Sequence, residues 1–472
     1  MSALLVLVFL GFGVLLGDVA GSRVGDTLAS ARSRLKVVIP SGGSTAATAS
    51  RSSPESSSSE SSSSESAGET TSTEPESQAE ATPTPTPTPA AATTKTTTTA
   101  AKTPAGAGGG GSTGGSSKST AGAPATKLPP LKHVFVIMLS DEPYASVFGP
   151  ASTAPYLAQT LERKGELLVR YDAVAHEELA NEVALLSGQG PTAETAANCP
   201  NYTEISPTGV GADEQVLGGG CVYPASTQTL MGQLTAKHLT WRAYVQGIDE
   251  AGTQQGACAH PALGQSDPTA LQTASTGAYA TFRNPFVYFD SVLDSPACAS
   301  DDVGSSALKA SLASVESTPS FSYVVPDRCD DGNPTPCTPG APSGLAPADA
   351  FLKTVVPEIL GSKAYKESGL LVITADEAPS SGEFADSSSC CGQPLFPNAP
   401  STSPDGAPRG GGAVGALLLS PYVKGGTTSE EPFNHFSLLR TIEDVFGLEH
   451  LGYASLSAVK SFEPAMFTAG KG

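Results

Sequence analysis

Acidic and imidazole side chains stand directly behind apolar runs at four places in this sequence. Ser140, Asp141 and Glu142 follow HVFVIML (133–139), His176, Glu177 and Glu178 follow ELLVRYDAV (166–174), and Asp376 and Glu377 follow GLLVITA (369–375). His435 comes shortly after GAVGALLLSPYV (412–423). Carboxylates gathered from distant chain positions repel one another unless a cation neutralises them, and hard divalent cations are held by such oxygens. Asp141, Glu178, Asp376 and Glu377 are therefore expected to form an acidic pocket able to hold a divalent metal ion. Plainer roles compete with this reading. Glu177 and Glu178 open a helix predicted over 178–187, where negative charge interacts favourably with the helix dipole. Asp141 can start a turn before Pro143, and Asn434 can cap the last helix, leaving His435 an ordinary first-turn residue.

For these side chains to meet, the runs before them must be neighbouring strands. Together with LTWRAYV (239–245) and FSYVVP (321–326), they read as buried strands separated by helix-like segments at 155–164, 226–237, 347–364 and 435–446. The alternation predicts an α/β fold with a doubly wound, mainly parallel sheet. In such sheets ligands bind beyond the carboxyl ends of the strands, where the acidic residues fall. The Gly-, Pro- and Cys-rich stretch 190–345 reads as an insertion stapled by disulfides.

Composition narrows the setting. The chain has 472 residues and a formal net charge of -20. No basic patch is visible, which argues against a nucleic-acid partner. All eight cysteines lie between Cys199 and Cys391, behind an apolar amino terminus, a pattern of oxidising compartments. No CxxC pair favours thiolate zinc. Eight cysteines allow about 105 pairings; Cys329 with Cys337, which bracket a Pro-rich turn, is the best single pair, and Cys199 with Cys221 and Cys258 with Cys298 are also expected.

Residues 1–22 read as an export signal or membrane anchor, 23–42 as a juxtamembrane segment, 43–129 as a disordered Ser/Thr/Pro/Gly/Glu-rich stalk, and 130–472 as the folded domain. Arg23, Arg32, Arg34 and Lys36 would favour a cytoplasmic carboxyl side, whereas the cysteines favour export; long domains cross largely regardless of flanking charge. The expected location is extracytoplasmic, anchored through the amino terminus or secreted.

Over residues 131–467 the motifs resemble the bacterial phosphoesterase family of phospholipase C and acid phosphatase type, within the alkaline-phosphatase superfamily. The stretches that carry the resemblance are HVFVIMLSDEPYASVFG, AHEELANEVALLSGQ, RNPFVYFDSVLDSPAC, LLVITADEAP and LLLSPYVKGGTTSEEPFNHFSLLRTIEDVFGLEHLGYA. The resemblance implies an alkaline-phosphatase-like fold and metal-assisted hydrolysis of phosphoric esters, monoesters or phospholipid head groups. In that chemistry a Ser or Thr hydroxyl attacks phosphorus and water later releases phosphate. Several catalytic positions depart from the family pattern. Ser140 and Asp141 stand where the family has Glu-Asn, and in the segment His176 to Asn181 the nucleophile position holds Glu178. Arg283 and Asn333 replace histidines, while His176, Asn181, His260, Asp376, Glu377 and His435 match. Hydrolysis through a phosphorylated hydroxyl is therefore expected to be impaired. Ser140 is the one hydroxyl that can substitute as nucleophile. The alternative is a non-catalytic cell-surface module that binds a metal ion or a phosphate ligand.

Overall fold

The computed structural model describes residues 127–250, 256–468 and 470–471. All of them belong to a unit running Gly110–Gly472. The expected signal or anchor, the juxtamembrane segment and the stalk up to residue 126 lie outside the described residues. Among the described residues no helix is long and apolar enough to cross a membrane.

An eight-stranded sheet forms the centre. In chain order its strands are β1 (His133–Leu139), β2 (Glu166–Leu168), β3 (Trp241–Val245), β4 (Asp302–Gly304), β5 (Phe321–Val325), β6 (Gly369–Ala375), β7 (Ala416–Leu419) and β8 (Thr427–Ser429). Their spatial order is β8-β2-β7-β6-β1-β5-β3-β4, and β7 alone runs against the rest. The sheet is mainly parallel with flanking helices, as expected. Every residue of β1, β5 and β6 is buried, which explains their near-continuous apolar sequences: a parallel strand covered on both faces has no solvent side to mark.

Register places the site. β1 pairs in parallel with β6, Leu139 opposite Ala375, and with β5, Val136 opposite Tyr323. Asp141 and Asp376 therefore leave adjacent strands side by side. The second run, 166–174, does not continue as one strand. It turns after Leu168, and Tyr171–Asp172 pairs instead with Phe433–Asn434, bringing the following His435 to the same edge.

The helices that matter to the site are α1 (Glu178–Ser187), α2 (Leu230–Ala236), α3 (Leu345–Gly361), α4 (Lys363–Ser368) and α5 (His435–Phe446). The segment expected as a helix at 155–164 is a wide turn, Tyr156–Leu161, followed by a tighter one, Glu162–Lys164; its first amides are taken by the Asp349 carboxylate of α3 at 3.2 and 2.9 Å. α2 begins later than its sequence pattern because the Thr229 hydroxyl accepts the Gly232 amide at 3.1 Å. Thr229→Ala should cost about 1 kcal/mol, the usual worth of such a cap, read from the midpoint of urea unfolding.

Four disulfides join Cys199–Cys221, Cys258–Cys298, Cys329–Cys337 and the adjacent Cys390–Cys391. The first three are the pairs expected above.

Candidate active site

Glu178 is the first residue of α1. The residue before it, Glu177, holds φ 71 and ψ 137, a conformation that L side chains rarely adopt, and Asp141 across the pocket has φ 54. Two strained non-glycine residues facing one pocket are typical of sites where geometry outranks backbone comfort. Asn198, just ahead of the Cys199–Cys221 disulfide, closes the helix start from outside. Its Oδ1 accepts the Leu179 amide at 3.1 Å, and its Nδ2 donates to Glu177 Oε2 at 2.9 Å and to Glu178 Oε2. The other Glu178 oxygen accepts from the Ser140 hydroxyl at 3.4 Å.

Asn181 lies one turn into α1 and is fully buried. Its Oδ1 accepts the amides of Val174 and Ala175 at 2.9 and 3.1 Å; its Nδ2 donates to the carbonyls of Ala175 and Glu177 at 2.7 and 3.0 Å. All of its hydrogen-bonding capacity thus goes to shaping the loop that presents His176 to Glu178. His176 Nδ1 is 2.9 Å from Glu377 Oε2, and its Nε2 is 2.8 Å from the Ser387 hydroxyl. His435 is buried under the pocket, its Nε2 against the Asp376 carbonyl at 2.9 Å and its Nδ1 against the Tyr171 hydroxyl at 3.0 Å.

Beneath these groups sits Arg283, almost completely buried. Its Nη1 meets Glu182 Oε1 at 2.6 Å and Asp376 Oδ2; its Nε lies 3.5 Å from Asp331 Oδ2; its Nη2 donates to the Met138 carbonyl at 3.1 Å. Glu182 follows Glu178 by four residues and so shares its helix face. An open cavity of about 550 Å³ adjoins the pocket, lined by Asp141, Glu142, Ser146, Gly332, Leu345 and Phe384 among others. Gly332 is needed there: at φ 116, a Cβ on it would lie 2.5 Å from the Ser140 carbonyl oxygen.

The Phosphoesterase family profile matches residues 132–449. The chain belongs to the phosphoesterase family. No curated protein matches the sequence. Solved structures of similar fold include an alkaline phosphatase superfamily protein from Vibrio parahaemolyticus, 11% identical, covering 72% of this chain and 71% of its own, with a TM-score of 0.40. The PsFucS1 sulfatase from Pseudoalteromonas sp. is 13% identical, with 72% of each chain covered and a TM-score of 0.37. The phosphonate monoester hydrolase SpPMH from Silicibacter pomeroyi is 12% identical, covering 71% of this chain and 76% of its own, with a TM-score of 0.37.

Of the residues expected at the site of this phosphoesterase-family protein, Ser140, Asp141, His176, Glu178, Asn181, Asp376, Glu377 and His435 gather in one region. His260 does not join them. It is exposed, stacked on the Tyr202 ring with 5.5 Å between centroids and bonded to the Pro261 carbonyl. The imidazole thus lies against an aromatic face rather than among carboxylates. Apart from the four-residue step from Glu178 to Glu182, nothing in the sequence pattern marks Asn198, Glu182 or Asp331 as site residues, and Arg283 stands out there only as a replaced histidine.

Electrostatics follow from crowding. Burial first, and neighbouring carboxylates next, push the carboxyl of Glu377 up to about 11 and that of Glu142 up to about 9. Burial, then Glu178, raises Asp141 to about 6 and Glu177 to about 7. Asp376 is raised by burial although Arg283 opposes this. Burial lowers His176 and takes His435 down to about 4. Burial thus disfavours the charged form of both partners in the 2.9 Å His176–Glu377 contact.

These residues do not fit a ready-made metal centre. Among the described residues, the set of three potential ligand atoms that converges is Cys258, Cys298 and Asp302, and those sulfurs are bonded to each other. Asp376, one of the expected metal ligands, instead faces a guanidinium.

Proposed function

We propose that this is an extracytoplasmic phosphoesterase-family protein that does not hydrolyse phosphoric esters through a covalent phospho-enzyme. The observation carrying this reading is Glu178: a carboxylate held by Ser140 and Asn198 stands at the start of α1, where the family resemblance calls for an attacking hydroxyl. Attack by a carboxylate would give a mixed acyl phosphate, and its negative charge opposes an anionic substrate. Ser140 does not repair the loss, because it is completely buried and its hydroxyl is turned to Glu178. Four disulfides support an oxidising location, and the apolar residues 3–17 followed by the stalk support display from a membrane.

The open cavity supports retained binding of a phosphate-ester or phospholipid head group. Glu142 in its wall stays protonated at neutral pH, so it can donate a hydrogen bond to a phosphate oxygen. The test is release of nitrophenol from p-nitrophenyl phosphate and bis(p-nitrophenyl) phosphate by the full chain, with magnesium, calcium, manganese or zinc added. No release above a protein-free blank is expected; sustained release proportional to protein concentration refutes the proposal. In the same preparation, titration with a phosphate monoester should show weak binding that strengthens as pH falls from 8 to 5.

A further inference from the structure

We infer that Arg283 is a built-in counter-cation that takes the place of a divalent metal ion among Glu182, Asp331 and Asp376. Three buried carboxyl groups reach this point from three separate elements: the second turn of α1, the loop after β5 and the end of β6. Carboxylates so placed demand positive charge, and a divalent ion or a guanidinium can supply it. The guanidinium is rigid and planar, with donors directed to several oxygens at once. Here one Nη1 serves Glu182 and Asp376 while Nη2 is fixed to the Met138 carbonyl, two residues before Ser140. The cation is therefore tied to the backbone of β1 and cannot leave, whereas an ion can.

The local chain supports this placement. Arg283 ends a short turn, Thr281–Arg283, and the next side chain, Asn284, is anchored by donating to the buried Asp302 carboxylate at 2.8 Å. Removing the arginine side chain would leave a space bordered by three carboxyl groups, and Glu182 Oε2 already has no hydrogen-bond partner. That is an oxygen-rich setting for a hard cation.

The experiment reads metal content without substrate, so its outcome is independent of the hydrolysis assay. The full chain is dialysed against a chelator, analysed by inductively coupled plasma mass spectrometry, and titrated calorimetrically with manganese, calcium and zinc. Wild type is expected to retain no ion at this point: no ion is bound, or one is bound whose affinity is unchanged by Glu182→Gln. A wild-type ion that is lost in Glu182→Gln overturns the inference. Arg283→Ala should unfold at lower temperature without metal, bind manganese or zinc at least 100-fold more tightly than wild type, and regain thermal stability when the ion is added. A folded Arg283→Ala that gains no metal affinity also overturns it. If that variant does not fold, the wild-type and Glu182→Gln measurements still decide the question.

Discussion

Asn181→Ala is expected to destabilise the protein by about 3 kcal/mol or more, since buried backbone groups left without partners cost about 1–3 kcal/mol each. The amides of Val174 and Ala175 and the carbonyls of Ala175 and Glu177 all depend on this one side chain. They lie in the loop between the Tyr171–Asp172 strand and α1, where Glu177 already holds a strained conformation. Without the amide, the strained turn keeps only the Asn198 contacts at its helix end and the Glu377 and Ser387 contacts of His176, so His176 and Glu178 should both shift. Asn181→Asp keeps the acceptor but loses the donor, and it adds negative charge to an acidic region; it should not rescue. Urea unfolding followed by circular dichroism measures the loss. A change below about 1 kcal/mol would show that the loop is held by other contacts.

The second large effect is a fall in stability as pH rises above neutrality. Burial raises the carboxyls of Glu142 to about 9 and Glu377 to about 11. In the unfolded chain the same groups ionise near pH 4, so between there and pH 8 the folded protein holds protons that the unfolded chain has released. Stability from these groups is complete below the unfolded values and is lost as pH climbs through the folded ones. His435 acts in the opposite sense. With its folded value lowered to about 4, its contribution is present above about 6.5, the ordinary histidine value, and is lost as pH falls toward 4. Above pH 6.5 only the carboxyls remain in play. Unfolding free energy should then drop by about 3 kcal/mol or more between pH 6.5 and 8.5, at up to about 1.4 kcal/mol per pH unit for each retained proton. Denaturant titrations at several pH values test this, and Glu142→Gln should flatten the slope. A stability that rises with pH would mean that the pocket carries more positive charge than Arg283 provides.

The two effects share one cause. The strand ends bring many carboxyls to one sheet edge, and this chain answers their repulsion with raised carboxyl pKa values, amide donors and one arginine.

Much of this was readable from residues alone, because the signals were local. Apolar runs without a polar face marked β1, β5 and β6 as strands covered on both sides, and their ends fixed where Asp141, Asp376 and Glu377 had to emerge. The helix 178–187 and the Asn434 cap of α5 were legible for the same reason: a helix start is written within four residues, and the Asn434 side chain does accept the Ser437 amide at 3.0 Å. What the tertiary structure alone decided concerns partners distant in sequence. Arg283 meets Asp376 and Glu182 across 93 and 101 residues, and Asn198 reaches back 20 residues to Glu178. Such pairings depend on strand register and on where a disulfide holds a loop, and neither leaves a periodic trace in the chain. His260 shows the same division. Its residue type was visible in the sequence, but only the course of the backbone past Pro261 set it against Tyr202 and apart from the carboxylates. Sequence therefore determined which chemical groups line the strand ends, since hydrophobic patterning is a property of neighbours. Folding determined which charges neutralise one another, since electrostatic contact acts through space.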